Sequence, residues 1–244
     1  MCGRYELHTH PAAIALAFGL AHAPEISSRY NIAPMTEVPV VRMNAHHERE
    51  LVWLRWGLVP RRAKDPSIGS KMINARGETL AQRQSFRMAY RRHRCLLPAD
   101  GFYEWMAVPG SAPARKQPVH ISMKDGRPFG LAGLCERWLS PEGEVLDTCA
   151  IITTAANALL RPVHERMPMI VAPEDYARWL DPANADVDDL VTPFPAERMS
   201  CHPVSPRVNA VRNDEPTLIE RVETVAADDE TEAPPSLPGQ ESLF

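Results

Sequence analysis

The sequence predicts an α+β fold in which a largely antiparallel β-sheet closes partly on itself and carries short helices at its flanks. Three observations predict this class. Many brief segments have the composition of strands, only a few have the period of a helix, and the two kinds do not alternate regularly. A chain of 244 residues, 44% of them hydrophobic, is long enough to bury a full core.

The first predicted elements are a helix and a pair of strands. Residues 10–18 (HPAAIALAF) predict a short helix. Residues 37–44 and 50–56 alternate like two strands, with residues 44–47 between them. Residues 77–92 again have helical character and carry a basic face.

Short strands and one last helix are predicted for the second half of the chain. The strand-like runs are residues 94–98, 101–105, 119–123, 129–134 and 147–153. Residues 173–180 begin with Pro and two acids, as the first turn of a helix often does. The last stretch is rich in Asp, Glu, Pro, Ala and Ser, which build no core. We therefore predict one domain over residues 1–222 and a disordered acidic tail over residues 223–244.

The formal net charge of −4 conceals a basic body. The tail holds six acids and neither Lys nor Arg, so the rest of the chain has 27 basic against 25 acidic residues. Many of the basic residues crowd one stretch: Arg55, Arg61, Arg62, Lys64, Lys71, Arg76, Arg83, Arg87, Arg91, Arg92 and Arg94. Such a cluster is typical of a solvated face and also of a phosphate-binding surface, so the net charge does not exclude nucleic acid.

The cysteine pattern and the hydropathy predict a cytoplasmic protein that does not enter a membrane. The five cysteines are odd in number and form no CxxC pair, which argues for reduced thiols and against a disulfide framework or a zinc site. No apolar run reaches the ~20 residues that span a bilayer, and the N-terminus lacks the apolar segment of a secretory signal.

Cys2 stands directly behind the initiator Met1 and before the small residue Gly3. If Met1 is removed, Cys2 carries an amine with a pKa of ~8 and a thiol with a pKa of ~8.5 on neighbouring carbons. Such a 1,2-aminothiol condenses with an aldehyde and closes to a thiazolidine ring. An isolated cysteine at this position is more often an idle thiol, so the motifs elsewhere in the chain decide its meaning.

Seven short motifs, in matching order, resemble those of the SRAP family, the SOS-response-associated peptidases or abasic site processing proteins. They are MCGRY (1–5), RYNIAP (29–34), RWGLVP (55–60), INARGET (73–79), RCLLPADGFYEW (94–105), TTAAN (153–157) and HERMP (164–168). The resemblance covers residues 1 to about 209. It implies a protein that loses Met1 and crosslinks through Cys2 to abasic sites in single-stranded DNA.

The resemblance implies four catalytic positions, Cys2, Asn74, Glu104 and His164. Glu104 lies between two aromatic residues and would move protons while the sugar ring opens. Asn74 would orient the terminal amine, and His164 would exchange protons during imine formation. Without the family pattern, a structural carboxylate, a turn amide and an exposed histidine would be the more ordinary interpretations.

Phosphate contacts are expected from arginines inside the motifs, namely Arg4, Arg76 and Arg166. The alternative for each is an internal salt bridge with an acid. Family members commonly carry a Trp in the loop where this chain has Arg62. An arginine there can stack or bind a phosphate, so we expect DNA binding to become more dependent on salt.

Two further functions compete with abasic-site crosslinking. In an N-terminal-cysteine hydrolase or peptidase, Cys2 would attack an acyl group with its own amine as the base. A single-strand-binding module would use the arginines and leave Cys2 idle. The sequence has no GxSxG, HExxH or P-loop motif, and we expect no cofactor and no metal.

The last five residues, QESLF, resemble the short peptides with which bacterial repair proteins bind the DNA sliding clamp. Leu243 and Phe244 would be the apolar anchors, and Gln240 would form hydrogen bonds nearby. A chance match is the alternative. We thus expect a monomer that is associated with the nucleoid, binds abasic single-stranded DNA and docks on the clamp through its tail.

Overall fold

The computed structural model describes residues 2–110, 115–184 and 186–223, and strands dominate this part of the chain. The strands are β1 (Tyr5–Leu7), β2 (Arg29–Ile32), β3 (Glu37–Met43), β4 (Arg49–Trp56), β5 (Asn74–Arg76), β6 (Arg94–Ala99), β7 (Gly101–Ala107), β8 (Lys116–Met123), β9 (Phe129–Leu139), β10 (Val145–Ala155), β11 (Arg166–Pro168), β12 (Ile170–Val171) and β13 (Met199–Pro203). The α-helices are α1 (Pro11–Phe18), α2 (Gln84–Arg92) and α3 (Tyr176–Leu180). Short 3-10 helices lie at Pro66–Lys71, Gly77–Thr79, Pro173–Asp175, Asp188–Leu190, Ala196–Arg198, Pro206–Asn209 and Pro216–Ile219.

The larger sheet closes into a barrel. Strand β10 pairs with β4, β4 with β3, β3 with β6, β6 with β9, and β9 again with β10. Strands β5, β11 and β12 extend its margins. Most pairs are antiparallel, but β10 runs parallel to β4 and to β5.

A second sheet carries the N-terminus. Its order is β13-β8-β7-β1-β2, and all of its pairs are antiparallel. Strand β1 is held in register with β7, Tyr5 opposite Phe102 and Glu6 opposite Gly101. This pairing places the residues just before β1 beside the middle of β7.

A buried tryptophan joins the two sheets. The ring of Trp56, at the end of β4, contacts Tyr5 edge-on with ring centroids 5.4 Å apart. Its Nε1 donates a hydrogen bond of 2.8 Å to the carbonyl oxygen of Ile73, directly before β5. Both rings are fully buried. The contact therefore fixes β1 of one sheet relative to β5 of the other.

Helix α1 has clear signals at both ends. The side chain of His10 accepts a hydrogen bond from the backbone N–H of Ala12, and Pro11 occupies the first position of the helix. The helix ends at Gly19, whose φ of 64° is the left-handed cap that glycine adopts most readily. Ile14 and Phe18 face the core.

The predicted class, an α+β domain with a largely antiparallel and partly closed sheet, is confirmed. The prediction of one helix over residues 77–92 was wrong. The segment instead forms a 3-10 turn at Gly77–Thr79 and a separate helix, α2. Buried Leu80 interrupts the segment, and the basic face continues only along α2. No helix of the described chain is long and apolar enough to cross a bilayer. The predicted tail lies almost wholly outside the described residues, so the domain boundary stays a prediction.

Candidate active site

Cys2 is completely buried just before β1. Burial raises the pKa of its thiol well above the usual range, and the negative charge of Glu104 adds to this shift. A hydrogen bond from the backbone N–H of Arg4 partly offsets the rise. The thiol therefore stays protonated near neutral pH unless a base removes its proton.

Asn74 reaches Cys2 from the other sheet. Strand β5 aligns Asn74 with Ile151 of β10, and the Asn74 Nδ2 donates a hydrogen bond of 2.8 Å to the carbonyl oxygen of Cys2. The Asn74 Oδ1 is buried and has no hydrogen-bond partner within the part of the chain that the structure describes. Such an atom is rare in a folded protein and indicates a place for a water or a substrate group.

Tyr5 supplies a second buried polar atom close by. Its hydroxyl likewise finds no hydrogen-bond partner among the described residues, although the ring is fully buried. Burial raises the pKa of this phenol, which keeps the hydroxyl neutral and able to donate. Tyr5 belongs to the MCGRY motif, but no pattern in the sequence distinguishes it as a site residue.

Glu104 lies in the middle of β7, opposite Val119 of β8, and is 4% exposed. The backbone N–H of the preceding Tyr103 donates a hydrogen bond of 3.0 Å to the carbonyl oxygen of Arg4. The strand that carries Glu104 is thus tied to the segment that carries Cys2. The structure brings Cys2, Asn74 and Glu104 together at the junction of the two sheets.

His164 lies in the loop between β10 and β11 and is half-buried. Its Nδ1 accepts a hydrogen bond of 2.9 Å from the backbone N–H of Arg166. A neutral imidazole held in this way carries its proton on Nε2. Strand β10 pairs with β11 at Thr153–Ala155 and with β5 at Ile151–Thr153, so the loop of His164 and the strand of Asn74 flank the same end of β10.

The four predicted DNA-binding arginines differ in their surroundings. Arg76, at the end of β5, and Arg62, in the loop after β4, are exposed. The guanidinium of Arg4 is half-buried, donates to Asn31 Oδ1 (2.8 Å) and to a backbone carbonyl, and lies 5.9 Å from the ring centroid of Trp105. It is therefore positioned by the protein itself.

Arg166 forms the internal salt bridge that was the alternative to a phosphate contact. It binds Glu78 through two hydrogen bonds of 2.6 and 2.9 Å and the carbonyl oxygen of Thr153 through another of 2.6 Å. The bridge lowers the pKa of Glu78. In this arrangement Arg166 holds the loop of His164 against β10, and a DNA phosphate would have to compete with Glu78.

A cleft of about 290 Å³ opens beside Asn74. Its lining includes three cationic residues, Lys71, Arg76 and Arg83, and no acid. A positive cleft attracts the phosphates of a nucleic-acid strand. Lys71 and Arg83 belong to the basic stretch of the sequence, but nothing in the sequence distinguished them from its other cations.

Comparison with known proteins identifies the family. The model of the SOS response associated peptidase (SRAP) family matches residues 1–211. The abasic site processing protein YoqW of Bacillus subtilis (strain 168) is 42% identical over 226 residues, which cover 90% of this chain and 99% of YoqW. The abasic site processing protein HMCES of Mus musculus is 30% identical over 268 residues, which cover 90% of this chain and 75% of HMCES.

Two crystal structures have the same fold. A protein from Bacteroides thetaiotaomicron superposes with a TM-score of 0.79 at 25% identity and covers 91% of this chain and 100% of its own. A protein from Bordetella bronchiseptica gives a TM-score of 0.71 at 28% identity, over 84% of this chain and 100% of its own. With the family model matching nearly the whole described chain, the protein belongs to the SRAP family.

Proposed function

We propose that this protein processes abasic sites in single-stranded DNA by linking itself covalently to the lesion through Cys2. The names of its curated relatives support the class of substrate. The observation that carries the proposal is the buried position of Cys2. There the side-chain amide of Asn74 donates a hydrogen bond to the carbonyl oxygen of Cys2, and the charge of Glu104 helps to raise the pKa of the thiol.

The chemistry begins with a sugar that must open. An abasic deoxyribose is mostly a closed hemiacetal, and proton transfer exposes its aldehyde. After removal of Met1, the amine of Cys2 adds to the aldehyde carbon, and loss of water leaves an imine. The thiol then adds to the imine carbon while its proton passes to the nitrogen. The product is a thiazolidine ring that joins the protein to the DNA.

The surroundings of Cys2 support a division of roles. Because burial raises the pKa of the thiol, ring closure needs a base to remove the thiol proton. Glu104 would be this base, since its buried carboxyl group is close enough for its charge to influence the thiol. His164 exchanges protons through Nε2, since its Nδ1 is held by a backbone N–H. Asn74 orients the backbone of Cys2 and hence its amine.

The DNA strand would run through the basic cleft beside Asn74. Arg76 and Arg62 are exposed and able to contact phosphates, and Arg4 is held near the start of β1. Arg166 would contact a phosphate by exchanging Glu78 for it. The crosslink would shield the lesion, because the aldehyde carbon becomes part of the thiazolidine ring and can no longer react with other groups.

The imine also permits strand incision, so a lyase activity through the Schiff base is a second outcome of the same chemistry. The alternative function is an N-terminal-cysteine hydrolase or peptidase, in accordance with the peptidase in the family's description. Both mechanisms use Cys2, but only crosslinking leaves DNA bound to denatured protein.

The test is a denaturing gel with labelled single-stranded DNA that carries one abasic site. Wild-type protein without Met1, as shown by its intact mass, should shift the labelled band to the mass of a protein–DNA adduct that survives heat. Cys2→Ala should form no thiazolidine, and Cys2→Ser should give only a reducible imine or an adduct that closes more slowly. The same strand with an intact base is the control. An unshifted band with fully processed wild-type protein would refute the proposal.

A further inference from the structure

A second cluster of ionisable side chains surrounds Glu6 and takes no part in the chemistry proposed for Cys2. Glu6 lies on β1 and is 1% exposed. Its Oε1 is 3.1 Å from His120 Nε2, and its Oε2 is 2.5 Å from His8 Nδ1. Asp100, directly before β7, completes the cluster, with its Oδ2 3.5 Å from His8 Nδ1.

The spacing of this cluster suits a metal ion. Glu6, His8 and Asp100 each offer one ligand atom, and these three atoms lie within 4.8 Å of one another. A divalent ion with bonds of about 2.0–2.2 Å separates its tetrahedral ligands by about 3.4 Å. The distances from His8 Nδ1 to Glu6 Oε2, 2.5 Å, and to Asp100 Oδ2, 3.5 Å, lie on either side of that value. A small movement of the His8 ring, which is partly exposed, would open the site and admit an ion.

The composition of the cluster also favours a cation. His120 is 4% exposed, and its Nδ1 has no hydrogen-bond partner among the described residues. Two carboxyl groups, those of Glu6 and Asp100, lie beside two imidazoles, those of His8 and His120. In the described chain no Lys or Arg lies within 4.0 Å of either carboxylate. No Lys or Arg side chain of the described residues therefore competes with a metal ion for these carboxyl groups.

Neighbouring groups hold the candidate ligands in place. Thr9 donates to Asp100 from its backbone N–H (2.7 Å) and from its hydroxyl (2.6 Å), and His120 donates to Glu6. Hydrogen bonds of this kind orient the ligands in many metal sites. Gly101 lets the side chains of His120 and Glu6 approach the backbone of β7, because a Cβ there would lie 2.2 Å from His120 Nε2 and 2.7 Å from Glu6 Oε1.

We propose that Glu6, His8 and Asp100 bind a divalent first-row metal ion of the Zn²⁺ or Mn²⁺ class. Two carboxylate oxygens and one imidazole nitrogen form a donor set that both ions accept. The bound ion would tie β1, which follows Cys2, to the start of β7, which carries Glu104. The site contains no cysteine, so the absence of a CxxC pair from the sequence does not bear on it.

Metal binding is tested on the full chain after treatment with a chelator. Co²⁺ is titrated while its visible absorption is recorded, and Zn²⁺ is then added as a competitor. Wild-type protein should bind one ion per chain. His8→Asn and Asp100→Asn should each weaken binding at least about tenfold. Zn²⁺ should raise the midpoint of thermal unfolding of the wild type and leave that of His8→Asn unchanged.

Two controls separate this site from others. His22→Asn removes an exposed histidine outside the cluster and should bind the metal as the wild type does. Cys2→Ala should also retain binding, and the Co²⁺ spectrum should lack the strong near-ultraviolet band of a thiolate ligand. Circular dichroism checks that each variant is folded. The proposal is wrong if the wild type shows no saturable binding, if both His8→Asn and Asp100→Asn bind normally, or if Cys2→Ala abolishes binding.

Discussion

The side-chain amide of Asn74 donates a hydrogen bond of 2.8 Å to the carbonyl oxygen of Cys2, across 72 positions of the chain. The parallel pairing of β5 with β10 fixes Asn74, and the bond in turn fixes the backbone of Cys2. The residue that would carry the reactive amine is thereby held from the opposite sheet. Each side chain around it can be tested by a defined substitution.

Replacing Asn74 should slow crosslinking without abolishing it. Asn74→Ala leaves the buried carbonyl oxygen of Cys2 without its donor, at a cost of about 1–3 kcal/mol. If this free-energy cost raises the barrier of the crosslinking step, the rate drops by about 5- to 160-fold. Single-turnover adduct formation on gels measures it. Asn44→Ala, in the turn between β3 and β4, should react at the wild-type rate. An unchanged rate for Asn74→Ala would show that the hydrogen bond has no catalytic role.

Glu104→Gln and His164→Asn should separate chemistry from binding. Both substitutions remove a proton-transfer group and keep its approximate shape, and the amide oxygen that replaces the imidazole Nδ1 can still accept from the backbone N–H of Arg166. We expect adduct formation to slow by about 10²- to 10⁴-fold, with little loss of affinity for abasic DNA. Gel kinetics and fluorescence anisotropy are the two measurements. Loss of affinity alone would contradict the assigned roles.

Arg76→Ala should weaken DNA binding and reduce its salt dependence. Arg76 is exposed at the basic cleft, and each lost phosphate contact on a single strand lowers the slope of log K against log salt by about 0.7. Arg127→Ala, an exposed arginine that lines another groove, is the matched control. Equal slopes for the wild type and Arg76→Ala would remove Arg76 from the DNA-binding surface.

Glu78→Gln should reveal which role Arg166 has. The bridge to Arg166 lowers the pKa of Glu78, so its contribution to stability is present at neutral pH and is lost as the pH falls below the ordinary Glu value of ~4.3. Glu78→Gln should therefore flatten the acid limb of thermal stability. If Arg166 also contacts a phosphate, the same variant should bind single-stranded DNA more tightly. Unchanged DNA affinity would assign Arg166 to the support of the His164 loop.

The C-terminal residues Gln240, Leu243 and Phe244 lie outside the described residues, so clamp binding stays a prediction of the sequence. A peptide of the last ten residues should bind a bacterial sliding clamp with modest affinity. A peptide with Leu243→Ala and Phe244→Ala should not bind, because it lacks both apolar anchors. Titration calorimetry compares the two. Equally negligible binding by both would end the hypothesis and leave the crosslinking proposal untouched.

Local patterns in the sequence were sufficient for the fold class and for several elements. The alternation in residues 37–44 and 50–56 predicted β3 and β4, because the period of two is a local property of a strand. Helix α1 was predicted within one residue, since its capping residues are adjacent to it. The ordered motifs identified the family, which supplied Cys2, Asn74, Glu104 and His164 as candidates.

The tertiary structure decided what each polar residue contacts. Arg94 belongs to the basic stretch of the sequence, yet it is buried and donates to carbonyl oxygens of Trp179, Asp181 and Asn184. Arg166 is paired with Glu78, and Glu6 meets Asp100, which is far from it in sequence. Partners so distant along the chain leave no periodic signal between them. Charge and residue type were therefore readable from the sequence, but only the packing of the two sheets determined which charges face solvent and which face one another.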